Sequence, residues 1–157
     1  MGTNNEQKIA NKKFDEILEA LETKDKEQLT ALFSKESLRV AEEFDSSVNE
    51  LFDFFEGEVE SYDDWGAQEV STSYENDEII QIIESTYDVK TTDCEYRFAI
   101  IYIYKDTADS DNVGVKSLYV IKKEDDIDPE YAYWGDGKNT PGININVQNE
   151  WVKQYKE

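Results

Sequence analysis

Asp63 and Asp64 stand together immediately before Trp65, and ten tyrosines are spread along a chain of 157 residues. Paired carboxylates beside an aromatic ring are the raw material of an acid–base pocket, where one group stays ionised while the other is pushed toward protonation. Adjacent residues on a strand point to opposite faces, however, so only one of this pair can enter a given pocket. No spacing selects one aspartate and one tyrosine over the rest, and surface acids flanking a buried tryptophan are the plainer reading. The row Tyr96, Tyr102, Tyr104 and Tyr119 combines apolar area with water-tolerant hydroxyls. That suits a ligand cavity, a subunit interface or an ordinary half-buried sheet. With Trp65 and Trp134, these tyrosines form the candidate pocket or interface set.

Two loops invite a ligand. In "DTADSDNVG", Asp109, Asp111 and Gly114 fall at positions 1, 3 and 6 of a calcium-binding EF-hand loop. Positions 5 and 12 would be Val113 and Val120, where the ion needs oxygen ligands, so the match fails and a solvated hairpin loop is expected. In "YWGDGKNTPG", Lys138 is followed by Asn139 rather than Ser or Thr, and no helix clearly follows, so this is not a phosphate loop. A tight turn with Trp134 tucked inward is expected. The chain has no histidine and a single cysteine, Cys94. Histidine-based triads, Cys-His pairs, the HExxH zinc site, a cysteine zinc site and an intramolecular disulfide are thereby excluded. No residue is assigned as catalytic, metal-binding or cofactor-binding.

The elements that would position these residues change type at Gly57. Before it, Phe14, Ile17, Leu18 and Leu21 make one helical stripe. Asp25 with Gln28 resembles a capping box for a helix carrying Leu29, Leu32 and Phe33, and Ser34 or Ser37 can cap a short turn bearing Leu38 and Ala41. Asp45 or Ser46 is expected to start a helix with Val48, Leu51, Phe52 and Phe55 on one face, closed by Gly57 as its C-terminal cap. After Gly57 the pattern is that of strands. Val59–Trp65 and Val70–Tyr74 are rich in strand formers, and Ile79–Val89 is assigned as strand because β-branched residues outweigh a competing helical stripe. Glu95–Lys105 is the clearest strand, with Tyr96, Phe98, Ile100, Tyr102 and Tyr104 on one face and Ala99, Ile101 and Ile103 on the other. Two apolar faces place it centrally in the sheet. Val115–Lys122 returns as its hairpin partner, Tyr131–Trp134 makes another strand, and Ile143, Ile145 and Val147 alternate. Trp151 and Tyr155 close the chain in a helical turn. Helices followed by an antiparallel meander predict an α+β domain, with N-terminal helices packed on a curved antiparallel sheet. Residues 1–7 are read as an added start or disordered leader and 8–157 as one domain.

Thirty-seven acidic residues against sixteen basic ones give a net charge of −21. That field repels phosphate backbones, and no basic patch offsets it, so nucleic acid is not expected as a partner. The acidity serves solubility or offers a counter-surface to a basic protein or cationic cell-wall polymer. The tyrosine row also allows a homodimer through the sheet. No apolar run reaches membrane-spanning length.

This order of elements is similar to the nuclear-transport-factor-two-like, or cystatin-like, cone. More specifically, "KKFDEILEALETKDKEQLTALFSKESL", "LFDFFEGEVESYDDWG", "YRFAIIYIYKDTADSDNVGVKSLYVIK" and "YAYWGDGKNTPGI" resemble an uncharacterised family of gram-positive lipoprotein type, domain of unknown function number five-one-zero-four. The resemblance runs from Lys12 to Ile145 and carries no catalytic residue with it. It implies export and a lipid-anchored amino terminus. A signal peptide and lipobox cysteine are absent from this chain, so membrane contact is expected only through an anchor already removed. Some enzymes of the cone fold use a pocket aspartate as base and a tyrosine or protonated aspartate as oxyanion donor, without histidine. The leading expectation is a non-enzymatic binding or interaction domain of an exported, surface-anchored protein. The alternatives are an isomerase- or dehydratase-type enzyme using Asp and Tyr in the cone, and an immunity-type protein that binds a basic toxin.

Overall fold

The computed structural model describes residues 4–66, 69–126 and 136–147. Four helices come first: α1 (Asn4–Thr23), α2 (Lys26–Leu32), α3 (Lys35–Val40) and α4 (Phe44–Phe54). Strands β1 (Val59–Asp64), β2 (Glu69–Glu75), β3 (Glu78–Thr91), β4 (Glu95–Asp106), β5 (Gly114–Lys122) and β6 (Gly142–Ile145) follow. The helices pack on one face of an open, curved, mostly antiparallel sheet, the α+β architecture the sequence predicts.

The caps follow the side chains available. Asp25 accepts the Gln28 N–H at the start of α2, and the Ser34 hydroxyl accepts the Ser37 N–H at the start of α3. Helix α4 differs from expectation: it starts at Phe44, after Glu43 in a left-handed conformation (φ +49°) with no side-chain cap. Its last turn ends on Phe55, so Gly57 is not the cap itself. Gly57 instead takes φ +89° where the chain passes the β3–β4 turn, and a Cβ there would lie 2.8 Å from the Thr91 and Thr92 hydroxyls.

The sheet runs β1-β3-β4-β5-β6 among the described residues, and β2 pairs with β3 as well. The expected meander is corrected at two places. β1 and β2 do not pair with each other, because the fourteen-residue β3 is long enough to take both along one edge. Asp64 lies opposite Tyr87, and Glu69 opposite Glu84. At the other end, β6 pairs parallel to β5, with Leu118 opposite Ile143. The long connection from Lys122 to Gly142 permits that crossover, which a tight hairpin cannot make. The expected strand Tyr131–Trp134 and the closing turn at Trp151 and Tyr155 lie outside the described residues.

Strand β4 is central as expected, paired on both edges. Its register slips at β5 between Ile101 and Tyr102, and at β3 opposite Gln81 and Ile82. These irregularities bend the strand without turning Tyr102 away from the helices. The interior between helices and sheet is packed with rings. Phe14 stacks flat on Tyr87 (centroids 3.9 Å apart, planes 2° from parallel), while Tyr62 and Phe98 meet Phe14 edge-on at 5.3 and 5.4 Å. Phe55 closes on Tyr96 at 4.9 Å. Each of these phenylalanines, buried, contributes about 1.5–3 kcal/mol. The space between helices and sheet is therefore filled around Phe14.

Candidate functional site

Polar groups gather where α1 crosses the outer end of that aromatic core. Asn11 and Asp15 are one helical turn apart on α1, beside the apolar stripe of Phe14 and Leu18. Tyr62 and Asp64 alternate on β1, so both face the helix. The Tyr62 hydroxyl donates to Asp15 Oδ1 at 2.6 Å, the Tyr87 hydroxyl donates to Asn11 Oδ1 at 2.9 Å, and Asn11 Nδ2 donates to Asp64 Oδ2 at 2.9 Å. Gln7 Nε2 also donates to Asn11 Oδ1, and Asp64 Oδ1 accepts the Gly66 N–H. Burial, then the hydrogen bond to Asp15 and its charge, pushes the Tyr62 hydroxyl well above the usual phenol range. Burial likewise raises Tyr87, with the Ser85 hydroxyl working against it. Both phenols are thus firm proton donors. Asp64, not Asp63, is the inward member of the acidic pair, and its Oδ1 and Oδ2 already accept hydrogen bonds from Gly66 and Asn11.

The opposite face of the sheet carries a different set. Arg97 donates from Nε to Asp88 Oδ1 and from Nη1 to Asp126 Oδ2, both at 2.6 Å. Trp65, 45% exposed, lies over that guanidinium with its ring 5.0 Å from Cζ. Farther along, Glu69 and Glu84 share this face directly opposite each other on β2 and β3. Burial first, then the hydrogen bond and charge of Glu69, raises the Glu84 carboxyl, and Lys116 lowers it in part. Tyr119 is buried here. Its hydroxyl donates to Asp136 Oδ1 at 2.7 Å and accepts the Thr140 N–H at 2.7 Å. Burial and Asp136 push it up to about 12. Thr140 and the Lys138 N–H, together with Tyr119, hold Asp136 below the usual carboxylate range against its own burial.

The candidate set of tyrosines and tryptophans is thus split rather than gathered. Tyr96 is fully buried, and its hydroxyl accepts the Glu56 N–H and donates to the Phe54 carbonyl, tying off the end of α4. Tyr102 and Tyr104 lie half-buried on the helix face, 6.3 Å apart, with Lys13 Nζ 5.2 Å from the Tyr102 ring. Tyr119 and Trp65 belong to the opposite face. Trp134 lies outside the described residues. Sequence reasoning missed Asn11, Asp15, Tyr62 and Tyr87. The signal was present as an i, i+4 polar pair on α1 and an i, i+2 pair on β1, but only the fold sets them against each other.

The loop acids are occupied by their own backbone. Asp106 accepts the Ala108 and Asp109 N–H groups and Asn112 Nδ2, and Asp109 accepts the Asp111 N–H. Asn112 and the two backbone donors hold Asp106 below its ordinary value. Among the described residues, no three His, Cys, Asp or Glu side chains gather as metal ligands. A surface depression of about 540 Å³ at the β3–β4 turn is lined by residues of both charges, Lys90, Asp93, Glu95, Lys122 and Lys123 among them.

Most exposed of all is β2. Every residue of Glu69–Glu75 but Val70 is exposed, and Tyr74 is 74% exposed. Among the described residues, its one strand partner is β3.

No curated protein matches the chain. The model of the family described as Domain of unknown function (DUF5104) matches residues 16–123, from the middle of α1 to just past β5. The stretch takes in Tyr62, Asp64, Tyr87 and Phe98 and the exposed strand, and begins just after Phe14 and Asp15. This chain belongs to that family of unknown function.

Proposed function

We propose that the protein is a non-enzymatic binding domain of an exported, surface-anchored protein, and that its partner is basic. One observation carries the reading: the space between helices and sheet, where a cone-shaped enzyme would hold substrate, is occupied by the stacked pair Phe14 and Tyr87 with Tyr62 and Phe98 packed edge-on against Phe14. The net charge of −21 supplies long-range attraction for a cationic surface. Aromatic anchors are available as well, although not those the spacing suggested. Tyr119 is buried and Tyr102 half-covered, whereas Tyr74 and Trp65 are exposed. An immunity-type protein is the special case in which the basic partner is a toxin. The cluster of Tyr62, Asp64 and Tyr87 favours a second reading, an isomerase- or dehydratase-type enzyme. Against it, both phenols and the carboxylate are already engaged with Asn11, Asp15 and Gly66.

Affinity capture from native extracts at low and high salt tests the proposal. Association should weaken steeply as salt rises, because exposed charges are screened beyond about 8–10 Å near physiological ionic strength. Tyr74→Ala and Trp65→Ala should each weaken it further, since a few aromatics usually dominate interface energy. A small molecule co-purifying against Tyr62 and Tyr87, with no salt-sensitive partner, would sink the proposal and promote the enzyme.

A further inference from the structure

Among the described residues, nothing covers the open side of β2, which is a strand edge. The β2–β3 hairpin turns through Asn76 and Asp77, both at positive φ (51° and 67°), and its flanking residues Glu75 and Glu78 are paired. Such a two-residue turn makes that flanking pair the hydrogen-bonded one, and the pattern then alternates along the ladder. Ile79 fits this phase, since its N–H and carbonyl turn the other way, to Thr107 beyond β4. In β2 the groups of Glu69, Ser71, Ser73 and Glu75 therefore face β3, while those of Val70, Thr72 and Tyr74 face outward. Among the described residues, nothing hydrogen-bonds to this outward row. Natural edges are commonly blunted by charges, lysine above all, or by proline, a bulge or short length; on β2 the charges are Glu69 and Glu75, at its two ends. β2 has seven residues, no lysine or proline, and an unbroken register from Glu69 to Glu75.

The charges say what can pair there. Side chains on one face of the hairpin are Glu69, Ser71, Ser73 and Glu75 on β2, with Glu78, Ile80, Ile82 and Glu84 opposite. Val70, Thr72 and Tyr74 occupy the other face. A second copy is disfavoured: antiparallel pairing centred on Thr72 sets Glu69 against Glu75, and parallel pairing in register sets each glutamate beside itself. Like charges directly opposite destabilise a ladder. A strand with basic residues on the glutamate face and apolar residues beside Val70 and Tyr74 meets both needs.

We propose that β2 takes up an extended segment of a basic partner protein as an added strand, in which lysine or arginine alternates with β-branched or aromatic residues. Main-chain hydrogen bonds to Val70, Thr72 and Tyr74 fix the register, and the glutamate face selects the cationic pattern. This rests on the binding reading above, but the two can fail separately.

The test is amide hydrogen exchange on the whole protein with synthetic peptides. One peptide alternates lysine with valine, one alternates glutamate with valine, and a third is the lysine–valine peptide N-methylated at every residue. With the first at ten times its Kd, exchange at Val70, Thr72 and Tyr74 should slow about tenfold, since it follows the free fraction. The glutamate and N-methylated peptides should leave these amides unchanged. Thr72→Pro removes only an outward N–H and should abolish the protection while the β4 amides keep theirs. Should that variant misfold, the exposed pair Glu69→Lys with Glu75→Lys serves instead, and it should transfer protection from the lysine to the glutamate peptide. Binding of the N-methylated peptide as tightly as its parent would overturn strand addition and leave the binding reading standing. So would protection of β2 that grows with protein concentration alone, which would make a second copy the occupant. No response to the lysine peptide or to polylysine at low salt would overturn both.

Discussion

Phe14 shows how much one residue of α1 carries. It is fully buried, stacked on Tyr87 and edged by Tyr62 and Phe98. Phe14→Ala should cost about 3–5 kcal/mol, because truncating a buried ring loses both its transfer energy and the contacts of its neighbours. Phe52 has the same helical spacing on α4 but is only partly buried, with Lys24 Nζ 5.7 Å from the centre of its ring. Its truncation should cost less, roughly 1–2 kcal/mol, since much of the ring stays wet. Urea unfolding of the two variants checks the ranking. Equal losses would mean that α4 turns Phe52 inward.

Strands β2 and β3 store a local electrostatic cost at Glu69 and Glu84. Glu84 has a folded-state pKa raised above its ordinary 4.5, by burial first and by Glu69 next. A raised carboxyl holds its proton more tightly in the folded state. Its contribution to stability is therefore full below the unfolded value and is lost as pH rises through the folded one. Glu84→Gln should accordingly stabilise the protein at neutral pH, with the gain vanishing below about pH 4. Thermal unfolding across that range gives the sign. A gain that persists at low pH would point to packing rather than charge. The same repulsion is what a lysine from a partner strand would relieve, so the element carries its strain where the proposed strand would dock.

At the scale of the molecule, a net charge of −21 makes the folded state repel itself. Raising ionic strength from about 0.01 M to about 0.15 M shortens the screening length from roughly 30 to 8 Å and should raise Tm. Partner binding should move the opposite way, weakening over the same range. Calorimetry and binding titrations run side by side separate the two effects. A Tm insensitive to salt would mean that the acids are already compensated, by ion pairs such as Lys26–Asp45 or by backbone hydrogen bonds such as those to Asp106. That outcome would remove the electrostatic argument for a basic partner.

What the sequence by itself determined was most of what can be read along one chain, though not the start of α4 or its C-terminal cap. The α1 stripe of Phe14, Ile17, Leu18 and Leu21, the caps at Asp25 and Ser34, the switch to strands after Gly57 and the central place of β4 follow from periodicity and local hydrogen bonding, which need no distant partner. The sequence also carried the family, because the motifs from "KKFDEILEAL" to "SLYVIK" fall largely within residues 16–123. Only the tertiary structure decided the pairings. β1 and β2 share one edge of β3 because β3 is long enough for both, and β6 runs parallel because its connection is long enough to cross over. It also set Asn11 against Tyr87, and Asp15 against Tyr62, 47 residues away in sequence. The open edge of β2 was equally hidden: its residues spell an ordinary strand, and whether an edge is covered depends on which other strand reaches it.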